Sequence, residues 1–243
     1  MAGTLNTAMV LCAGLGTRMA SADNELPKPL VRLRDKPLID HVLDRLAGAG
    51  IVRAVVNVHH KADLIERHLR RRSLPAVEIS DERAGLLGTG GGVRKALPRL
   101  APGAFLIHNA DSVWIEGIGS NLARLAAAWD ERAMDCLLML AVASVSHGYH
   151  GRGDFALASD GRIRRRRAEQ EIVPFAFTGV SLAHPRLFDD TPEGAFSLNR
   201  VWSRAIAAGR AFGVRMEGVW MHVGTPTALA HADACLSAAG PEG

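Results

Sequence analysis

Apolar residues in this chain fall either in short unbroken runs or at helical spacing, and the two kinds of segment alternate. The run "TAMVLCAG", residues 7–14, is apolar after its first residue and ends in glycine, which predicts a buried strand entering a turn. "KPLIDHVLDRLAGAG" puts Leu38, Ile39, Val42, Leu43 and Leu46 on one helical face, with Gly48 and Gly50 as stop signals. "RAVVNVHH" reads as a second strand ending at His59 and His60, "KADLIERHLRRR" as a helix and "AVEIS" as a third strand. Strand, helix, strand, helix, strand predicts a parallel sheet with right-handed crossovers. "GGGVRKAL" then opens a helix, "AFLIHNAD" is a strand ending on Asp111, "NLARLAAAW" is a helix and "DCLLMLAVA" a further buried strand.

The rhythm changes after Ser144. "GDFALASDGRIRRR" reads as a hairpin, "FAFTGVSLA" as a strand and "LNRVWSRAIAAG" as a helix. "FGVRMEGVWMHVGT" reads as one strand-like stretch, and "PTALAHADACLSAA" as a last helix with Pro226 near its first turn. No repeat or Pro/Ser-rich linker divides the chain, so the second half is expected to build a substrate lobe onto the same sheet. The expected organisation is one domain over residues 1–243, in a first half over about 8–112 and a second half over about 113–238.

Composition narrows the function classes. No apolar run approaches the roughly 20 residues of a membrane helix, and residues 1–8 carry no basic segment leading into an apolar core, so a membrane partner and a secretory leader are not expected. Cys12, Cys136 and Cys235 are far apart, which argues against a disulfide framework or a structural zinc site and fits a reducing cytoplasm. The net charge of +4 raises the question of nucleic acid, but aromatics make up only 5% of the chain and do not interleave with basic residues into a stacking platform. The densest basic run, Arg162 and Arg164–Arg167, reads first as a solvated strand leaving a hairpin and second as a face toward a polyanion. His147 and His150 lie in a Gly-rich loop without a nearby acid in helical register, and Trp114, Trp129, Trp202 and Trp220 read as core and rim packing.

The chemistry concentrates after the first strand. Gly14 and Gly16 let backbone N–H groups approach an anion with no Cβ in the way. A dinucleotide fingerprint would place glycine or alanine where Met19 stands and an acid at the end of the second strand, and a P-loop would need G-x-x-x-x-G-K-S/T; neither is present. The glycines lead instead into Thr17 and Arg18, a guanidinium fork suited to a polyphosphate, and then Lys28, a point charge suited to one phosphate. Pro27 and Pro29 are expected to hold Lys28 in an extended segment.

"LCAGLGTRM…LPKPL" resembles the signature of the sugar-1-phosphate nucleotidyltransferases, L-x-x-G-x-G-T-R-(M/L) followed by P-K-P. "GTGGGV" at 88–93, "NAD" at 109–111, "FTGV" at 177–180 and "VGTP" at 223–226 resemble the family's remaining motifs, in order, over nearly the whole chain. The "TGGG" and "VGTP" details are most similar to the branch that uridylylates N-acetylmuramate 1-phosphate in peptidoglycan recycling. The resemblance implies a Rossmann-like, doubly wound α/β fold with a mostly parallel mixed sheet, GT-A-like, carrying a sugar-binding lobe. It implies transfer of a nucleoside monophosphate from a nucleoside triphosphate, UTP in that branch, to a sugar 1-phosphate, with Mg²⁺ as cofactor and Mn²⁺ as the alternative. Guanylyl or cytidylyl transfer to a hexose or heptose phosphate is the second reading, and an inactive nucleotide- or sugar-phosphate-sensing protein the third. The expected nucleotide contacts are Ala13, Gly14, Leu15, Gly16, Thr17, Arg18, Gly88, Thr89, Gly90 and Asn109. Arg18, Lys28 and Asp111 are the expected catalytic residues, with Asp111 as metal ligand.

Two departures from the family pattern stand out. His222 occupies the position before "VGTP" where relatives often carry a second metal-binding Asp; it is a candidate ligand, although imidazole suits Mg²⁺ poorly. The stretch "RRRRAEQEIVPFAFTG" lacks the lysine that relatives use for the sugar phosphate, which leaves Arg166 or Arg167 as substitutes. The expected sugar-phosphate contacts are Lys28, Glu169, Thr178, Gly179 and Asn199, with Glu171 as an alternative to Glu169.

Overall fold

The computed structural model describes residues 5–19, 26–100 and 102–239. In chain order, β1 (Thr7–Leu11) leads into the glycine loop, and β2 (Arg32–Leu33) and β3 (Lys36–Pro37) form a short hairpin before α1 (Leu38–Gly48). Then come β4 (Arg53–Val58), α2 (Ala62–Leu69), β5 (Ala76–Asp81), α3 (Gly88–Ala96), β6 (Phe105–Asn109), β7 (Ser112–Glu116), α4 (Asn121–Ala127) and β8 (Cys136–Val142). The rest is β9 (Phe155–Leu157), β10 (Ile163–Arg165), β11 (Phe175–Ala183), α5 (Leu198–Ala207), β12 (Ala211–Arg215), β13 (Gly218–His222) and α6 (Pro226–Ala239).

Strands β5, β4, β1 and β6 lie side by side in parallel, as the strand–helix alternation predicts. β11 then pairs antiparallel with β6, and β8 and β12 follow beyond it, making one mixed sheet of nine strands with the β9–β10 hairpin. The sheet is apolar on both faces because both are covered. Ala8, Val10, Ala54 and Val56 pack with Val42, Leu43 and Leu46 of α1 and Ile65 of α2. Met9, Val55 and Ile107, pointing the other way, pack with Val93 of α3 and Val201 and Trp202 of α5. This is the doubly wound α/β fold that the sequence implies.

β11 changes neighbours along its length. Val180–Ala183 lie between β6 and β8, whereas Phe175 lies between β9 and β8. The register shifts between Phe177 and Ser181, around Gly179, whose φ of +90° an L side chain adopts only with strain. The hairpin therefore continues the sheet beyond the carboxyl end of β6.

"FGVRMEGVWMHVGT" is two strands, not one. β12 runs beside β8 in the main sheet, whereas β13 pairs with β7 in a separate two-stranded sheet, and Gly218 at φ +88° makes the break between them. Sequence reading also passes over β7, because it follows β6 after only two residues. A third cluster, including Leu33, Leu38, Met221, Val223 and Leu236, fastens this small sheet and α6 to the β2–β3 hairpin.

His108, fully buried in β6, stacks on Trp114 at 5.6 Å. Its Nδ1–H donates to the Asn109 carbonyl (2.8 Å), which leaves Nε2 as a buried lone pair without a partner among the described residues. Burial pushes its pKa down to about 4. Unfolded, the same imidazole binds a proton near pH 6.5, so its contribution to stability is complete above about 6.5 and is lost as pH falls toward 4, by about 1.4 kcal/mol per pH unit. Thermal melts from pH 7 to 4.5 should show the wild type losing stability more steeply than His108→Phe; parallel losses would place the acid sensitivity elsewhere.

Candidate active site

Leu11 and Asn109 end β1 and β6, Asn57 is the last residue of β4 that pairs with β1, and the three stand in register. They form one wall of a cavity of about 390 Å³ beyond the carboxyl ends of the parallel strands, where open α/β sheets bind ligands. The glycine loop contributes Ala13, Gly14, Gly16 and Thr17, the start of α3 Gly88 and Thr89, and the turn after β6 Asp111. Among the described residues no carbonyl accepts from the N–H groups of Ala13, Gly14, Leu15, Gly16 or Thr17, which leaves a row of donors suited to a polyanion. Leu15 is half exposed and is not among the residues lining the cavity. The Arg18 backbone lies in the short turn Thr17–Met19; its side chain lies outside the described part of the structure.

The two glycines of the first loop have different work. Nothing lies within 4 Å of where a Gly14 Cβ would stand, so this backbone is open to a ligand. Gly16, at φ +64°, would place a Cβ 3.1 Å from the Lys28 Cβ, so its bareness lets Lys28 close against the loop. Pro27 is extended (φ −66°, ψ 147°), but Lys28–Leu30 form a 3₁₀ turn instead of the extended segment expected. Pro29 explains the difference, because its fixed φ suits the first turn of a helix and it has no N–H to satisfy there. The turn aims the Lys28 ammonium at the Asp111 carboxylate, and the two form an ion pair with 12% and 35% of their side-chain surfaces exposed.

Glu82 is absent from the residues that motif reading selects, yet it ties both loops of the cavity together. It is 1% exposed, and each carboxylate oxygen accepts a hydrogen bond: Oε1 from Asn57 Nδ2 (2.7 Å), Oε2 from Leu87 N (3.0 Å). Asn57 Oδ1 in turn accepts from Cys12 N (2.7 Å), at the start of the glycine loop. The available signal is an acid one residue beyond "AVEISD" and just ahead of a glycine stretch. "GTGGG" is largely spent on this packing. Gly92 would place a Cβ 2.7 Å from both Asn57 Nδ2 and Glu82 Oε1, Gly91 one 2.3 Å from the Gly194 carbonyl, and Gly90 one against the Phe196 ring. Gly88 and Thr89 reach the cavity, and Gly90 is buried behind them.

Lys28 apart, the sugar-side candidates do not line this cavity. Thr178 is buried and donates its hydroxyl to the Met139 carbonyl (2.9 Å). Gly179 lies against Asn109, whose amide occupies the space a Cβ would need. Asn199, exposed on the first turn of α5, accepts from Arg165 (3.0 Å). Glu169 and Arg166 line a second pocket of about 300 Å³, and Glu171 pairs with Arg164 (2.7 Å). His222 pairs in register with Ser112, next to Asp111, and its ring packs on Trp220 (5.6 Å) and Tyr149 (6.3 Å) behind Gly224. No group of three metal-ligating side chains occurs among the described residues. A single carboxylate facing a phosphate-sized cavity still fits a hard divalent cation, which completes its shell with phosphate oxygens and water.

Residues 8–179 match the family model described as the MobA-like NTP transferase domain. Over 236 residues the chain is 49% identical to the N-acetylmuramate alpha-1-phosphate uridylyltransferase of Caulobacter vibrioides, covering 96% of this chain and 97% of that protein. It is 33% identical to the protein of the same name from Neisseria meningitidis serogroup B, covering 95% and 98%. Its fold is similar to that of HddC from Yersinia pseudotuberculosis complexed with GMP-PN, with a TM-score of 0.77 at 19% identity over 96% of this chain and all of that one.

The Glu82 bridge predicts that Glu82→Gln harms the protein nearly as much as Glu82→Ala. Both oxygens accept from N–H donors, so an amide must turn its NH₂ toward one of them. Each variant should lose about 1–3 kcal/mol in denaturant unfolding and bind nucleoside triphosphate more weakly by calorimetry. A wild-type-like Gln variant would show that one acceptor suffices.

Proposed function

The chain belongs to the family of MobA-like NTP transferase domains, and we propose that it transfers uridylyl from UTP to N-acetylmuramate 1-phosphate, giving the UDP-sugar and pyrophosphate. Two observations support the choice of substrates: near-full-length similarity to uridylyltransferases of that name, and a cavity in which Lys28 and Asp111 meet opposite a glycine loop whose N–H groups meet no carbonyl among the described residues. In this reading a phosphate oxygen of the sugar 1-phosphate forms a bond to the α-phosphorus of UTP. The bond from that phosphorus to the bridging oxygen of the β-phosphate breaks, and pyrophosphate leaves with the electron pair.

No protein nucleophile is required; the chain's task is to hold two polyanions together. The N–H groups from Ala13 to Thr17, with Arg18, hold the triphosphate. Lys28 stands where the two phosphates meet, and on binding they compete with Asp111 for its ammonium. Gly88, Thr89 and Asn109 border the nucleotide, within a nucleotide-binding half over residues 8–112 and a sugar-phosphate half over 113–238. Asp111 would hold Mg²⁺, or Mn²⁺ as the alternative; when bound, the cation supplies positive charge to the phosphates. His222, packed on two aromatic rings, steadies the "VGTP" turn beside Asp111. A cytoplasmic setting follows from the UTP requirement, and peptidoglycan recycling is the process that supplies such a sugar. Among the described residues no helix is long and apolar enough to cross a membrane.

Mixing UTP, GTP or CTP with the 1-phosphates of N-acetylmuramate, N-acetylglucosamine or mannose and measuring pyrophosphate tests the reading. UTP with N-acetylmuramate 1-phosphate should be fastest; a preference for GTP or CTP would overturn it. Lys28→Ala should lower kcat/KM by about 10²–10³, well beyond its effect on UTP affinity, and Asp111→Asn should abolish turnover at saturating Mg²⁺. A Lys28→Ala enzyme with normal kcat would reduce the Pro-Lys-Pro turn to a structural element.

A further inference from the structure

The arginine run 164–167 is not a uniform solvated face. Arg164 pairs with Glu171 (2.7 Å), and Arg165 donates to Asn199 (3.0 Å) and Ser203 (3.1 Å). The Arg166 guanidinium makes one hydrogen bond, from Nη1 to the Glu169 carbonyl (2.5 Å), and that of Arg167 makes none among the described residues. Both line the second pocket, together with Gly153, Asp154, Arg165, Ala168 and Glu169. Asp154 Oδ2 is already occupied, accepting from Phe177 N (2.9 Å). The pocket thus holds three guanidinium groups beside the Asp154 and Glu169 carboxylates, and two of the three, Arg166 and Arg167, keep most of their donors unused among the described residues.

Its place in the sheet gives it a purpose. β11 runs antiparallel to β6 with Val180 opposite His108, so Gly179 falls beside Asn109, and Phe177 lies further along, past the end of β6. Asp154 bonds to Phe177, and Arg166 N–H donates to the Asp154 carbonyl (3.1 Å). Strand rise puts Phe177 about 7 Å from Gly179. The pocket shares no lining residue with the cavity of the Lys28–Asp111 pair, and it meets the sheet beside that cavity through the Asp154–Phe177 bond. An anion bound there is a second one, carried by the sugar itself.

We propose that Arg166, assisted by Arg167, binds a carboxylate carried by the sugar ring, and so selects an acidic sugar 1-phosphate over its neutral counterpart. The proposal rests on the reading of N-acetylmuramate 1-phosphate as substrate, whose lactyl ether carries such a carboxylate. It differs from the expectation that these arginines replace the missing sugar-phosphate lysine, because their pocket is lined by none of the residues around Lys28 and Asp111. Guanidinium is suited to the task, since it presents two parallel N–H groups to the two carboxylate oxygens.

The test compares N-acetylmuramate 1-phosphate with its lactyl methyl ester, which keeps the ring and the phosphate but removes the charge. With UTP, the wild type should favour the acid over the ester by about 10- to 100-fold in kcat/KM, the range of a charge-assisted hydrogen bond. In Arg166→Ala the ratio should fall to about one, and Arg166→Lys should restore part of it. A ratio that survives in Arg166→Ala, whether or not both rates drop, would overturn the proposal, since a phosphate-binding or structural role lowers both substrates alike. A wild type that discriminates acid from ester by less than twofold would also overturn it while leaving the uridylyltransferase reading intact. A wild type inactive on the acid would overturn both.

Discussion

An ammonium and a carboxylate that are mostly shielded from water are stable there only while each faces the other. Lys28 and Asp111 are in that position, and the segments carrying them are 83 residues apart in the chain. Their pairing fixes the Pro-Lys-Pro turn against the end of β6 and closes one side of the cavity. Almost everything else around the cavity serves to bring these two groups together. The bare Gly16 admits Lys28 against the loop, and Gly179 makes room for the Asn109 amide beside Asp111. The β7–β13 pair holds the chain immediately after Asp111.

The glycines show how one residue type serves two ends. In the first loop Gly14 faces open space and is free to meet a ligand. In the second stretch Gly90, Gly91 and Gly92 are buried against Phe196, Gly194 and the Asn57–Glu82 pair, so helix α3 can approach its neighbours at distances a Cβ would forbid. That close approach is what lets a single carboxylate, Glu82, join the two loops. A buried carboxylate with both oxygens bonded is costly to disturb, so the separation of the loops is held firmly.

The second half of the chain enters the same sheet through β11, and β9 replaces β6 as its neighbour where the strand passes the carboxyl end of β6. The β9–β10 hairpin carries Arg166 past the end of β6, and the arginine run divides into residues already paired and residues still available. The same change of neighbours that interrupts the parallel pattern thus brings a second, arginine-lined pocket to the carboxyl end of the sheet.

The alternation of strands and helices, the doubly wound sheet, the glycine loop and the candidates Lys28 and Asp111 are all legible in the sequence. Each of these rests on local spacing or on a short motif, and periodicity reports which face of a segment is buried. Periodicity does not show that "FGVRMEGVWMHVGT" divides between two sheets, because both strands are apolar and only their partners differ. Nor does it show that Lys28 sits in a turn aimed at Asp111, that Glu82 spans two loops, or that Arg165 is paired while Arg166 has donors to spare. Those facts depend on contacts between residues distant in sequence. Such contacts are set by how the elements pack, and the chemical identity of a side chain does not reveal which partner it will meet.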